Sequence, residues 1–337
     1  MPPVIDPANI YSEAGAGKLS EAVKGHPERV YVPNAGSSTV TVIEAKSFKV
    51  IGSFRVGKEP QHVVPSYDLR TLYATNDLND TLTEIDPATG RKGNTIRVED
   101  PYNMYFTPDG KTAIVVAERL RRLDFRDPKS FRMIESLKVP CKGVDHLDFS
   151  ADGNYLIATC EFSGELIKVD VLGRRMLGKI SIPGGGMPQD IKLSPDGKVF
   201  YVADMHANGV HMVDGDRFRL TGFLATGKGA HGLYVSRDSR VLYVSNRDEG
   251  SISLIDLAKR QVSGKWQIPG GGSPDMGNLS ADGKIFWLAG RYHHEVYAFD
   301  TGNGRLLARI KVGRNPHGLC VWPQPGRYSY GHTGLTR

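Results

Sequence analysis

Short apolar runs, each opened and closed by a polar residue, recur along the chain. Lys198-Val-Phe-Tyr-Val-Ala-Asp204, Arg240-Val-Leu-Tyr-Val-Ser-Asn246 and Arg70-Thr-Leu-Tyr-Ala-Thr-Asn76 are three copies of one strand-like phrase. The closing residues are Asn34, Asn76, Glu118, Cys160, Asp204, Asn246 and Gly290, so successive copies lie 42, 42, 42, 44, 42 and 44 residues apart. Runs rich in Val, Ile and Tyr favour strands. A strand pattern with this period is that of a β-propeller blade. The pattern predicts an all-β fold, a seven-bladed β-propeller of four-stranded blades.

One repeat shows the expected elements. Its first strand is Gln189–Ser194, its second Val199–Ala203, its third Val210–Asp214 and its fourth about Phe218–Ala225. The turns Pro108-Asp-Gly110, Ala151-Asp-Gly153, Pro195-Asp-Gly197 and Ala281-Asp-Gly283 recur between first and second strands. Asp-Gly supplies the positive φ that tight hairpins need. The chain enters its first blade at a second strand, Arg29–Pro33, and the matching first strand comes only at His317–Trp322. Pairing these two closes the array and removes its open edges. Residues 28–322 are therefore read as the propeller, 1–27 as an irregular N-terminal segment and 323–337 as an irregular C-terminal tail.

The Tyr-Val-x-Asn strand at 31–34 and 243–246 resembles the YVTN-repeat propeller family, and the resemblance covers about residues 28–322. It implies the fold more than a function, because that family includes scaffolds, surface proteins and propeller domains of redox enzymes. Some of the latter carry a metal at a histidine-lined hub.

Composition narrows the classes. The 43 Lys and Arg against 37 Asp and Glu give a net charge of +6, but the basic residues are scattered. Nucleic-acid binding needs a stripe or patch, so no nucleic-acid partner is expected. No apolar run reaches the roughly 18 residues of a membrane span. The N-terminus shows neither the basic nor the apolar region of a signal peptide. Three Cys at 141, 160 and 320 form neither a disulfide framework nor a zinc spacing, which leads us to expect reduced thiols and a cytoplasmic protein.

Candidate chemistry lies at the start of each first strand. Reading that position gives His62, Asn103, His146, Asp190, His231, Asp275 and His317, all expected at one channel mouth. The loops between second and third strands add His206, Arg291, His293, His294, Glu161 and Arg247 to the same face. Imidazoles converging on an axis suit copper, zinc or iron, with carboxylates orienting them. His62, His146, His231 and His317 are thus the candidate metal ligands, and His231, His317, Asp190 and Asp275 the candidate catalytic groups. His231 and His317 each precede a glycine, which gives the backbone room to approach a ligand. The register is uneven, however. His62, Asn103 and Asp190 stand two residues after a proline, but Asp275 and His317 stand one after. A slip of one residue sends a side chain to the other face of a strand.

Three readings stay open: a metal site, metal-free acid–base chemistry, and histidines that merely tie blade to blade. The functional expectation is a small-molecule-binding enzyme or metalloprotein with lyase or redox chemistry. The alternative is a non-catalytic scaffold that docks another protein.

Overall fold

Each repeat forms one antiparallel sheet because its four strands are joined by short turns that leave no other neighbour in sequence. The computed structural model describes residues 4–337. In the fifth blade the order is Pro188–Leu193, Val199–Asp204, Gly209–Asp214 and Arg219–Ala225. The first two of these strands are buried along their whole length, whereas the last alternates between exposed and half-buried positions. That gradient fits sheets packed face to face with only their last edge in water. Seven such blades make the fold a seven-bladed β-propeller.

By packing, the chain forms two compact units. One comprises Thr107–Gln267 with the N-terminal residues up to Ser12, the other Glu13–Phe106 with Ile268–Arg337. Tyr201, Val210, Leu233 and Val244 belong to the core of the first. Val30, Ile43, Trp287 and Leu319 belong to that of the second.

The closing residue of the repeat has a definite task. In three blades it is an asparagine whose amide reaches two hydroxyls on the third strand, five and seven residues on. Asn34 meets Thr39 and Thr41 at 3.1 and 2.9 Å, Asn76 meets Thr81 and Thr83 at 3.1 and 2.9 Å, and Asn246 meets Ser251 and Ser253 at 2.9 and 3.0 Å. In the fifth blade Asp204 replaces Asn, and the residue seven further on is His211, 3.2 Å from its carboxylate. Burial raises the Asp204 pKa, but the His211 bond and two backbone N–H groups outweigh it and hold the carboxyl below its usual range.

In the fourth blade the closing residue is tied instead to the link that precedes the first strand, and covalently. Cys160 is its closing residue, and it is disulfide-bonded to Cys141 with Cα atoms 6.0 Å apart. Reduced thiols were expected here, and the structure corrects that. The two strands of this hairpin pair Val144 with Cys160, so the link that precedes Val144 runs beside the closing position. The 19-residue separation in sequence conceals a contact that the register imposes. Only Cys320 is a free thiol, and it is buried.

Closure takes the expected form. Cys320–Trp322 pairs antiparallel with Arg29–Asn34 in the register Tyr31↔Cys320, Val30↔Val321 and Arg29↔Trp322. Beyond Trp322 the chain is more regular than the irregular tail anticipated at 323–337. Ser329–Gly331 and Leu335–Thr336 form short strands, and Gly331 pairs with Tyr105 in Asn103–Phe106. Asn278 donates to the carbonyls of Thr333 and Gly334, and Gln324 to that of Leu279. Gln324, Ser329, His332, Thr333 and Thr336 are all buried. The segment is packed against first strands of the second unit.

Removing residues 316–337 should therefore expose Arg29–Asn34 as an apolar edge and uncover the strands under the tail. We expect aggregation or loss of cooperative melting. A truncated protein that stays soluble and melts in one sharp transition would contradict this closure.

Candidate functional site

The uneven register seen in the sequence has a structural cause. Five first strands carry an irregularity just after the opening residue: Pro60, Val144, Pro188, Ala230 and Pro274 pair across the hairpin, and regular pairing resumes three residues later. Such a bulge sets two residues against one on the partner strand and aims their side chains differently. His231 and Asp275 occupy the first bulge position, and His317 follows Pro316 in the same way. His62, His146 and Asp190 occupy the second. Six of the seven candidates thus fall into two classes of position rather than one ring.

In the first unit the candidates make one dyad and one tie. The Nδ1–H of His146 donates to Asp145 at 2.6 Å, and the Thr159 hydroxyl stands 3.0 Å from the same oxygen. Burial pushes the Asp145 carboxyl well above the usual carboxylate range, and the charge of Asp190 adds to this. Glu161, on the short turn Glu161–Ser163, is raised to about 7 by burial and by Asp145, against the opposing pull of Gln189, Arg247 and His146. Asp190 accepts from the backbone N–H of Ile191 and, across to the next blade, of Leu233, each at 2.9 Å. It therefore serves the blade-to-blade tie. His231 is buried in Ala230–Val235. Arg247 points a guanidinium nitrogen at Met205 Sδ, 2.9 Å away, and His206 is exposed.

The second unit gathers more imidazole. The Nδ1–H of His317 donates to Asp275 at 2.8 Å, with Arg291 3.6 Å from the same carboxylate oxygen. The Tyr102 hydroxyl lies 3.4 Å from His317 Nε2. The Nδ1–H of His62 donates to the Tyr102 carbonyl at 3.0 Å. The His62 and His317 rings meet edge to face with centroids 4.9 Å apart. Gly318 makes that approach possible, since a Cβ there would sit 2.1 Å from His62 Cδ2. The glycine after His317 thus makes room for another histidine. The two loop histidines stand apart in role: His293 Nδ1 pairs with the Ser273 hydroxyl at 2.9 Å, and His294 Nδ1 accepts from the Asn315 N–H at 3.1 Å.

One member of this cluster was missed. His332 lies in the C-terminal segment, outside the repeat. Its ring stacks on Tyr105 with 12° between planes and lies 5.3 Å from His62, centroid to centroid. Asn103 stands 2.9 Å from its Nδ1. Ring nitrogens of His62 and His332 come within 4.8 Å of each other, close enough for both to address one ion or one small ligand atom. No repeat-based signal could have found it.

The fold and these clusters define a seven-bladed propeller whose first strands bring buried imidazole and carboxylate together. The model of the YncE-like β-propeller family matches residues 3–325, and the chain belongs to that family. A curated relative, the uncharacterized protein YncE of Salmonella typhi, is 30% identical over 123 residues, covering 36% of this chain and 34% of that one. The match therefore spans about a third of that relative's length. Among solved structures, hydrazine synthase of Kuenenia stuttgartiensis is similar with a TM-score of 0.70 at 19% identity, covering 80% of this chain and 92% of that one. Dihydro-heme d1 dehydrogenase NirN, solved in complex with DHE, is similar with a TM-score of 0.66 at 14% identity, covering 90% and 77%. At these identities the likeness is one of fold.

Glu161 yields a pH prediction. Its folded pKa is raised to about 7 from an ordinary value of 4.5. Folding thus favours the protonated form: the stability is fully present below the unfolded pKa and is lost as pH rises through the folded one. The melting temperature of the wild type should fall between pH 4.5 and 7, and Glu161→Gln should flatten that fall by on the order of a few degrees. An identical slope in both proteins would place Glu161 in an ordinary solvated setting.

Proposed function

We propose that the protein binds a small molecule at the imidazole cluster of the second unit and moves a proton there. The observation that carries this is the chain Asp275–His317–Tyr102, with contacts of 2.8 and 3.4 Å. A carboxylate on Nδ1–H fixes the imidazole tautomer and leaves Nε2 as the basic atom. Nε2 is where a reacting hydroxyl or acidic C–H of a ligand would give up its proton, and the Tyr102 hydroxyl can return one. Asp275 would stabilise the imidazolium formed, and Arg291 balances the buried carboxylate. Lyase chemistry or proton-coupled redox chemistry both use such a base. Enzymes among the structural neighbours are compatible with this reading and do not select within it.

A transition metal is the second reading, and one observation favours it. The Nδ1–H groups of both His62 and His317 are held by acceptors, the arrangement that presents Nε2 to copper, zinc or iron. A docking protein remains the third kind of partner, for which Leu78 and Tyr292 offer exposed apolar side chains in loops of the second unit. The Cys141–Cys160 bond favours an oxidising compartment over the cytoplasm first expected. No helix among the described residues is long and apolar enough to cross a membrane.

The test is a melting screen of wild type, His317→Gln and Asp275→Asn against carboxylates, lactones and hydroxylated ligands, and against copper, zinc, iron(II) and a chelator. We expect at least one organic ligand to raise the wild-type melting temperature by several degrees and to lose most of that effect in both variants. Stabilisation that survives intact in His317→Gln would overturn the proposal. Stabilisation by a metal alone, reversed by chelator, would replace it with the metal reading.

A further inference from the structure

Proton positions in this cluster follow from the neighbours of each ring. Asn103 Oδ1 accepts from the backbone N–H of Met104 at 2.8 Å, which fixes which end of the amide is the NH2. That NH2 lies 3.2 Å from the Tyr105 hydroxyl and 2.9 Å from His332 Nδ1. An amide nitrogen donates only, so His332 Nδ1 accepts. In a neutral imidazole the other nitrogen then carries the proton, and His332 presents an Nε2–H. His62 is the reverse: its Nδ1–H is spent on the Tyr102 carbonyl, and Nε2 carries the lone pair. The backbone locks this pair in place, since His332 N–H donates to the Met104 carbonyl and Gly331 pairs with Tyr105.

We propose that His332 is a member of the site, its hydrogen-bond donor, and that the His332–His62 pair is built to hold a hydroxyl oxygen rather than a metal ion. The inference rests on the small-molecule reading above and adds to it the class of group recognised. An oxygen that accepts from His332 Nε2–H and donates its own proton to His62 Nε2 satisfies both rings at once. With two bonds of about 2.8 Å meeting at a tetrahedral angle, the nitrogens stand about 4.6 Å apart, and ring nitrogens of this pair do lie within 4.8 Å of each other. The oxygen belongs to a water or to an alcohol-bearing ligand, and the chemistry is the same. A metal needs a lone pair at Nε2. His332 could offer one only as an imidazolate while Asn103 still donates to Nδ1. Asn103 is therefore a positioning residue that sets what the site accepts.

Asn103→Asp tests this with little change of shape. Its carboxylate keeps an acceptor for Met104 N–H and turns the other oxygen into an acceptor for His332 Nδ1–H, which moves the lone pair to Nε2. Zinc alone is titrated calorimetrically into wild type, Asn103→Asp and the double variant Asn103→Asp/His332→Ala, each first shown by circular dichroism to be folded. Weak zinc binding by wild type, a gain of at least tenfold in Asn103→Asp and loss of that gain in the double variant are the expected results. Tight binding by wild type, no gain in Asn103→Asp, or a gain that persists without His332 would each overturn the assignment. In parallel, glycerol is titrated into the 15N-labelled wild type. A shift of the His62 and His332 ring signals identifies a ligand alcohol, and unmoved signals with the same tautomers identify water. Signals showing Nδ1–H on His332 would contradict both. The zinc series does not depend on His317, so it can fail while the ligand screen succeeds, and the reverse.

Discussion

Everything in the second unit hangs on three residue pairs, Tyr31↔Cys320, Val30↔Val321 and Arg29↔Trp322. They join chain segments about 290 residues apart, and closing a flexible loop of that length costs on the order of 5 kcal/mol in entropy. Hydrogen bonds worth about 1 kcal/mol each could not offset that alone. Burial decides the balance. Trp322, Val321 and Leu319 are all but inaccessible, each contributing roughly 1.5–3 kcal/mol by transfer from water. The C-terminal segment then adds its own burial against neighbouring first strands. The same pairing sets the chemistry, because it delivers His317 to Asp275, Gly318 to the His62 ring and, further on, His332 to Asn103.

The bulge in five of the first strands is the second constraint. It gives two consecutive side chains different surroundings, so a repeat that looks uniform in sequence offers two kinds of position. One kind supplies Asp275 and His317, which bond each other across blades. The other supplies His62, which bonds a backbone carbonyl, and Asp190, which serves as a tie between blades. One residue of register thus decides whether a side chain meets its partner on a neighbouring blade's side chain or on backbone. A buried network in which each ring has a dictated proton is also one in which a single exchange of amide for carboxylate redirects the site.

Much of this architecture is legible in the amino-acid sequence. The period, the Asp-Gly turns and the missing first strand reveal blade number and closure because each reports a local backbone demand. The slip between His62 and Asp275 relative to their prolines is visible too, and the bulge is its cause. The rest depends on register or on parts of the chain outside the repeat. Cys141 and Cys160 look unrelated until Val144 is known to pair with Cys160. His332 belongs to no repeat. His211 could have been placed, since it stands seven residues after Asp204 just as Thr41, Thr83 and Ser253 follow their asparagines, and a carboxylate in place of the amide asks for a donor there. Tautomers need the neighbours of each ring nitrogen, and no sequence pattern supplies those.

Membership of the YncE-like family describes the frame, and the proton map of the second unit describes what the frame holds. A neutron structure of crystals exchanged into heavy water reads that map directly. The account predicts deuterium on Nδ1 of His62, on Nδ1 of His317 and on Nε2 of His332, with an oxygen between His332 and His62. Deuterium on Nδ1 of His332, or a metal ion bound by both rings, would contradict it.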